Sequence, residues 1–347
     1  MSALPDNSGW RPADVSSLLS RKDTRGVLIS ASRDPDAKAT FIATSKNATL
    51  SRSYGSRLAV KIPMTRMAGV AVEREGRMLV ALRRMRLESL GDTIPRYVQS
   101  RQVEGRPVLV STALPGTPMS VAYHQWLHTA RPRAVQRDFA LAGDWLARFQ
   151  AASAAGTGPV TWAADIADQL RGRWDGHPGL ANALVRVEDA HRRLAEHQTV
   201  SCAVHGDFWF GNLLVTDGRI TGVIDWESAE PEGSPLRDLA RFALSYSLYL
   251  DRHTSPGSRV VGHPGLRRTG FGAGIGYALV GPGWMPRLVR SFLADGLVRL
   301  GIPADRWYDV ALTGLGEVAA SANDPDFGAG HLELLGRLPA HPRRHQG

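Results

Sequence analysis

Val204-His205-Gly206-Asp207-Phe208-Trp209-Phe210-Gly211-Asn212, followed by Asp225 within Val223-Ile224-Asp225-Trp226-Glu227, is the stretch around which the rest of the chain can be placed. Thr199 to Val204 reads as a short apolar strand, so His205 to Gly211 forms a tight loop at its end, with Gly206 and Gly211 permitting unusual backbone angles. Leu213-Leu214-Val215 and Ile220 to Ile224 flank Thr216-Asp217-Gly218-Arg219, and Asp-Gly between two apolar runs favours a type I′ hairpin. A hairpin returns the chain to its start, so Asn212 and Asp225 come within reach of one metal ion. Two carboxylates and an amide in this order suit phosphoryl transfer from a Mg-nucleotide: one carboxylate orients an attacking hydroxyl, while the amide and the other carboxylate hold Mg²⁺ against the phosphates.

His-Gly-Asp-x-x-x-x-Asn followed by Ile-Asp-Trp-Glu resembles the aminoglycoside phosphotransferase and choline kinase-like superfamily, which shares the bilobal protein-kinase fold. The protein-kinase signatures His-Arg-Asp and Asp-Phe-Gly are absent, as is Ala-Pro-Glu, which disfavours a protein substrate. The resemblance implies that Asp207 is the catalytic aspartate and that Asn212 and Asp225 are the metal ligands. It implies an α+β fold, with a small N-terminal lobe of antiparallel β-sheet plus one helix and a larger, mostly α-helical C-terminal lobe. The corresponding division is an extension over 1–25, a nucleotide-binding lobe over 26–113 and a catalytic and substrate-binding lobe over 114–347. In this fold the histidine of the loop braces it through hydrogen bonds, and His205 is read that way. Asp238 resembles the acidic anchor that holds the loop through backbone hydrogen bonds.

Upstream, Gly26 to Ser30, Ala39 to Ala43 and Arg57 to Ile62 read as strands. Lys61 stands out because the chain has four lysines against 38 arginines and none follows it. Ala-Val-Lys-Ile is similar to the kinase strand whose lysine reaches the α- and β-phosphates. Its usual partner is a glutamate on the next helix, predicted over 71–82 from apolar residues at 72, 79 and 82. Glu75 is favoured because it has Leu79 and Leu82 on its own side; Glu73 is the alternative, and positions two apart on a helix cannot both face one lysine. The strand Pro107 to Ala113 breaks into Leu114-Pro115-Gly116 like the hinge between lobes, which would let adenine bond to backbone groups near Ser111 to Ala113. No Gly-x-Gly-x-x-Gly lies between residues 20 and 60, so a turn over Ser30 to Asp36, with Ser32, is the candidate phosphate loop. The glycine-rich 270–276 stretch lacks dinucleotide spacing and reads as a loop or irregular helix start.

Downstream, Phe139, Ala142, Trp145, Leu146 and Phe149 recur at helical spacing within 134–154, with Trp145 as core. Further helices are predicted over 162–175, over 179–197, from Pro235, and through 286–336 with interruptions near Gly301 and Asn323. Hydrophobic content of 43% and charged content of 22% over 347 residues fit a globular protein with a sizeable core. No apolar run approaches the roughly 18 residues of a membrane span and the first residues do not read as a leader, so a cytoplasmic location without membrane partner is expected. The single cysteine, Cys202, is expected to be a buried, inert thiol.

The net charge of +9 is unevenly spread. Residues 1–150 carry 23 basic and 12 acidic side chains, net +11, and residues 151–347 carry 19 and 21, net −2. A basic first half suits a lobe that meets polyphosphate, and without a basic helix or interleaved aromatics no nucleic-acid partner is expected. The expected reaction is single-step transfer of the γ-phosphoryl group of ATP to a hydroxyl of an aminoglycoside, aminosugar, sugar or related metabolite. Nothing in these residues distinguishes ATP from GTP, and they leave the oligomeric state open. The small acidic excess of the second half argues against a strongly cationic acceptor. A nucleotide-binding pseudokinase or regulatory protein without turnover is the alternative, supported by the missing glycine loop and opposed by Lys61, Asp207, Asn212 and Asp225.

Overall fold

The computed structural model describes residues 25–31, 37–44, 57–103 and 105–340. They divide into two compact units: one holds the described residues up to Arg83 with Pro95–Leu114, the other Arg84–Ile94 and the described residues from Pro115 onward. The helix expected over Ala13 to Leu19, and Ser32 with most of the expected phosphate turn, lie outside the described residues.

In the first unit, β1 (Arg25–Ala31), β2 (Lys38–Thr44), β3 (Arg57–Pro63), β4 (Tyr97–Val103) and β5 (Arg106–Thr112) form one antiparallel sheet in the order β1-β2-β3-β5-β4. Side chains alternate between the faces of a strand, so Leu58, Val60 and Ile62 of β3 fall on one side and pack with Phe41, Val108 and Val110. Lys61 therefore points to the opposite face. There its register partner is Leu109, and Leu109 Cδ1 lies 3.5 Å from where a Cβ would stand on Gly76. Gly76 belongs to helix α1 (Arg66–Arg83), which covers this face; its missing Cβ lets helix and sheet approach. The helix begins five residues before the expected start, and its buried stripe includes Val72, Glu75, Leu79 and Leu82.

The second unit is mostly helical. After β6 (Thr117–Pro118) and the short α2 (Met119–Tyr123), α3 (Pro132–Ala152) carries Trp145, Leu146 and Phe149 fully buried, with proline in its first turn. Strand β7 (Gly156–Pro159), helices α4 (Ile166–Trp174) and α5 (Leu180–Leu194) and strand β8 (Gln198–Val204) lead to the loop at His205. Helix α4 starts four residues later than expected, because residues 161–166 make tight turns, with the Ala164 amide bonded to Thr161 O and the Ile166 amide to Ala163 O. The hairpin β9 (Leu213–Thr216) and β10 (Arg219–Val223) follows the loop, and both central turn residues have positive φ, 49° at Asp217 and 71° at Gly218, as a type I′ turn requires.

Strand β11 (Glu230–Gly233) pairs with β8. The rest is helical: α6 (Leu236–Leu248), α7 (Ala273–Val280), α8 (Trp284–Arg299), α9 (Trp307–Ser321) and α10 (Pro325–Arg337). Gly272, at the head of α7, has φ 76° and resolves the glycine-rich stretch as a helix start. Cys202 is fully buried, which pushes its thiol up to about 12 and leaves it protonated near neutral pH. Among the described residues no helix is long and apolar enough to cross a membrane.

Candidate functional site

In the first unit, strand and helix bring Lys61 Nζ to 2.7 and 2.6 Å from the two carboxylate oxygens of Glu75. Both residues are buried, Glu75 to 2% exposure, so the ion pair offsets the cost of burying two charges. Glu73 faces solvent opposite Arg77 at 4.0 Å, so Glu75 forms the pair. At the end of β5, Ser111 is buried, the Thr112 amide donates to Arg96 O at 2.9 Å and the Ala113 amide donates to Arg57 O at 3.1 Å. The sheet uses both amides, which leaves carbonyl oxygens as the groups a base could meet at Thr112 and Ala113. This narrows the adenine contact expected there.

In the second unit, the loop after β8 is fastened from both sides. Phe208 and Phe210 are fully buried; Phe208 stacks near Trp145, with centroids 5.5 Å apart, and Phe210 stacks on Tyr123 at 4.3 Å. Each such ring contributes roughly 2–3 kcal/mol of apolar burial, enough to fix the intervening residues. From below, the buried Asp238 carboxylate accepts the amides of His205 and Gly206 at 2.8 and 2.9 Å. Burial pushes the Asp238 carboxyl up from its usual range, and His205 and the two amides pull it back. His205 Nδ1 lies 3.3 Å from the Asp207 amide and Nε2 lies 2.9 Å from Ile224 O. That pattern calls for the proton on Nε2, and it makes His205 a strut between the loop and the residue before Asp225.

The loop requires glycine at 206, and the glycine at 211 leaves room for the Trp209 ring. Gly206 has φ 77°, and a Cβ there would stand 2.1 Å from Ser228 O; a Cβ on Gly211 would stand 2.3 Å from the Trp209 ring. Asn212 donates through Nδ2 to Asp207 O at 3.0 Å and to Asp207 Oδ2 at 3.2 Å, which turns its Oδ1 the other way. The Ile224 amide donates to Asn212 O at 3.0 Å, so the hairpin closes with Asn212 and Asp225 adjacent. Asp225 itself has φ 73°. A non-glycine residue in that region costs about 1–3 kcal/mol unless its surroundings hold it there, and the buried Trp226, donating to Val223 O at 2.8 Å, does so. The donors offered by Asn212 and Asp225 are oxygens, the set that the hard cation Mg²⁺ prefers.

One partner of this loop was not apparent from the sequence. Arg241 Nε and Nη2 both donate to Asp207 Oδ1, at 2.8 and 2.6 Å. Burial would lower the Arg241 pKa, and the Asp207 charge and hydrogen bonds outweigh it, so the guanidinium is held above its usual value. A cavity of about 180 Å³ opens beside this pair, with Leu244, Leu248, Val318 and Phe327 among its walls.

The profile of the phosphotransferase enzyme family matches residues 43–265. The chain belongs to that family. No curated protein sequence matches it significantly. Among solved structures, the phosphotransferase chain is similar to aminoglycoside phosphotransferase APH(4)-Ia, with TM-score 0.57, 15% identity and coverage of 94% of this chain and 98% of that one. A ternary complex of a thermostable mutant of that enzyme, with ADP and hygromycin B, matches with TM-score 0.55, 16% identity and coverage of 94% and 97%. Macrolide 2'-phosphotransferase MphH from Brachybacterium faecium matches with TM-score 0.51, 17% identity and coverage of 94% and 98%. At these identities the likeness establishes the family's fold, in line with the resemblance read from the loop.

The sequence signal for Arg241 lay three residues beyond Asp238. On a helix, i and i+3 share a face, so an anchor that grips the loop backbone brings Arg241 to the same loop. The neighbouring Arg237 instead bonds Glu230 and Glu317 at 2.7 and 2.6 Å and ties α6 to β11 and α9.

Proposed function

We propose that the protein transfers the γ-phosphoryl group of ATP to a hydroxyl of a small molecule, with Asp207 as the catalytic residue. The observation that carries this reading is the arrangement around Asp207: Oδ1 is held by Arg241, Oδ2 by Asn212, and the side chain lines a cavity of its own unit. An acceptor hydroxyl in that cavity donates its hydrogen bond to Asp207, which directs the oxygen lone pair at the γ-phosphorus. The new O–P bond forms as the bond to the β-phosphate oxygen breaks; ADP leaves, and the hydroxyl proton passes through Asp207 to solvent. Because the transition state is loose, Asp207 works chiefly by position and charge.

Asn212 and Asp225 fit Mg²⁺, which when bound offsets charge on the phosphate oxygens. The first unit contributes Lys61, oriented by Glu75, as the donor to the α- and β-phosphate oxygens, and backbone groups near Ser111 and Ala113 for the base. The ADP and hygromycin B complex of the related fold supports nucleotide use and a small-molecule acceptor. ADP release by the purified protein, with Mg-ATP and a panel of hydroxylated sugars, aminosugars and antibiotics, tests the proposal. Acceptor-stimulated release that disappears in Asp207→Ala supports it. Nucleotide binding with no acceptor-stimulated release would favour the pseudokinase instead.

A further inference from the structure

The charges around the cavity beside Asp207 bear on what it takes. Of its described lining residues, Asp207 is the one carboxylate, and Arg241 already occupies that carboxylate with two hydrogen bonds. Behind Arg241, the half-buried Glu317 is paired with Arg237 at 2.6 Å, and the buried Asp238 is engaged by two loop amides. An ammonium group entering the cavity would therefore meet a guanidinium at the one carboxylate available to it. Much of the remaining wall is apolar or aromatic, from Leu244, Leu248, Val318, Phe327 and the Trp209 ring, and its other polar groups, on Ser245, Tyr249 and His331, carry no formal charge.

His331 adds an uncharged acceptor. Its Nδ1 is 2.8 Å from Phe327 O, so Nδ1 carries the proton and Nε2 keeps its lone pair. Burial pushes this imidazole down to about 4, and Arg241 nearby pushes the same way, so the ring is neutral near pH 7. A cavity of about 180 Å³ is close to the ~150 Å³ void that accepts a benzene, which makes room for one ring of a larger acceptor.

We infer that this cavity takes an uncharged hydroxylated acceptor with an apolar or aromatic face, and that Arg241 sets this selectivity by neutralising Asp207. The inference rests on the phosphotransferase reading for the word acceptor, and it is tested by binding as well as by turnover. Phenyl β-glucoside serves as the neutral probe and gentamicin as the polycation, each titrated calorimetrically into the nucleotide-loaded protein. The wild type should bind the glucoside at least tenfold more tightly than gentamicin. Arg241→Met and, separately, Ser245→Glu should each shift that ratio at least tenfold toward gentamicin. Ser245 lies on the wall and its hydroxyl bonds Phe242 O; its variant adds a carboxylate one helical turn from Arg241, where it can also draw the guanidinium from Asp207, and either effect favours a cation.

Tighter gentamicin binding by the wild type, binding of neither probe, or a ratio unmoved in both folded variants would overturn the inference. Turnover separates it from the reading beneath it. A preserved binding ratio without transfer to any acceptor would sink the catalytic proposal alone, whereas efficient transfer to gentamicin over the glucoside would sink the inference alone.

Discussion

In the first unit the charged pair is placed by regular structure, whereas in the second the charged residues are placed by other side chains. Lys61 stands on β3 and Glu75 on α1, and strand alternation and helix register bring them together. Asp207 has no such support. Its loop is held by two buried rings, by Asp238 from below, by His205 across to Ile224, and by Arg241 on its own carboxylate. The first arrangement centres on a buried ion pair; the second is spread over several hydrogen bonds and ring contacts. Removing one group should therefore be most destabilising in the first unit and more selective in its effect in the second.

The largest stability change is expected from Lys61→Ala, which removes the ammonium from a carboxylate that is 2% exposed. Breaking such a pair costs about 3–5 kcal/mol. Urea unfolding followed by a probe in the first unit should show it, and Lys61→Ala with Glu75→Gln should recover much of the loss. If the single variant unfolds like the wild type, the pair does not carry the dependence assigned to it.

Next in size is Asp238→Ala, which strands the amides of His205 and Gly206. An unsatisfied buried amide costs about 1–3 kcal/mol, so a loss of about 2–4 kcal/mol is expected, together with faster hydrogen exchange at both amides. Unchanged protection of those amides would mean that the loop is held by its aromatic residues alone.

A smaller, pH-dependent effect belongs to His331. Its folded pKa of about 4 lies below the usual 6.5, so its neutral form favours the fold. The stability is fully present above pH 6.5 and is lost as pH falls toward 4, with about 2 kcal/mol gone by pH 5. His331→Gln should flatten the fall in melting temperature between pH 7 and 5. Parallel profiles for variant and wild type would contradict the assignment. Smallest of all, Glu73→Gln on the exposed face of α1 should change stability by under about 0.5 kcal/mol, the contrast that identifies Glu75 as the partner of Lys61.

The same comparison explains what could be read in advance. Lys61 and Glu75 were legible because periods of 2 and 3.6 residues are written in the sequence. Asn212 and Asp225 were legible because Asp217-Gly218 announces the turn that folds one back on the other. Arg241 was missed because it acts across the fold, 34 residues from Asp207, and its place three residues beyond Asp238 becomes informative only once Asp238 is seen to grip the loop. The cavity wall was missed for the same reason. Leu244, Val318, Phe327 and His331 come from three helices that only tertiary packing brings together. Even the backbone groups proposed to meet adenine depend on pairing: which amides β5 keeps for itself follows from its register with β3 and β4.

The central claim is that Asp207 acts on the acceptor hydroxyl and not on nucleotide binding. Single-turnover phosphoryl transfer and ADP affinity, measured side by side for the wild type and Asp207→Ala, test it most directly. Transfer should fall roughly 10³-fold while ADP affinity changes less than about threefold, as expected for a residue that positions and deprotonates the hydroxyl. Transfer within about tenfold of the wild type, or a loss explained by weaker ADP binding, would contradict it.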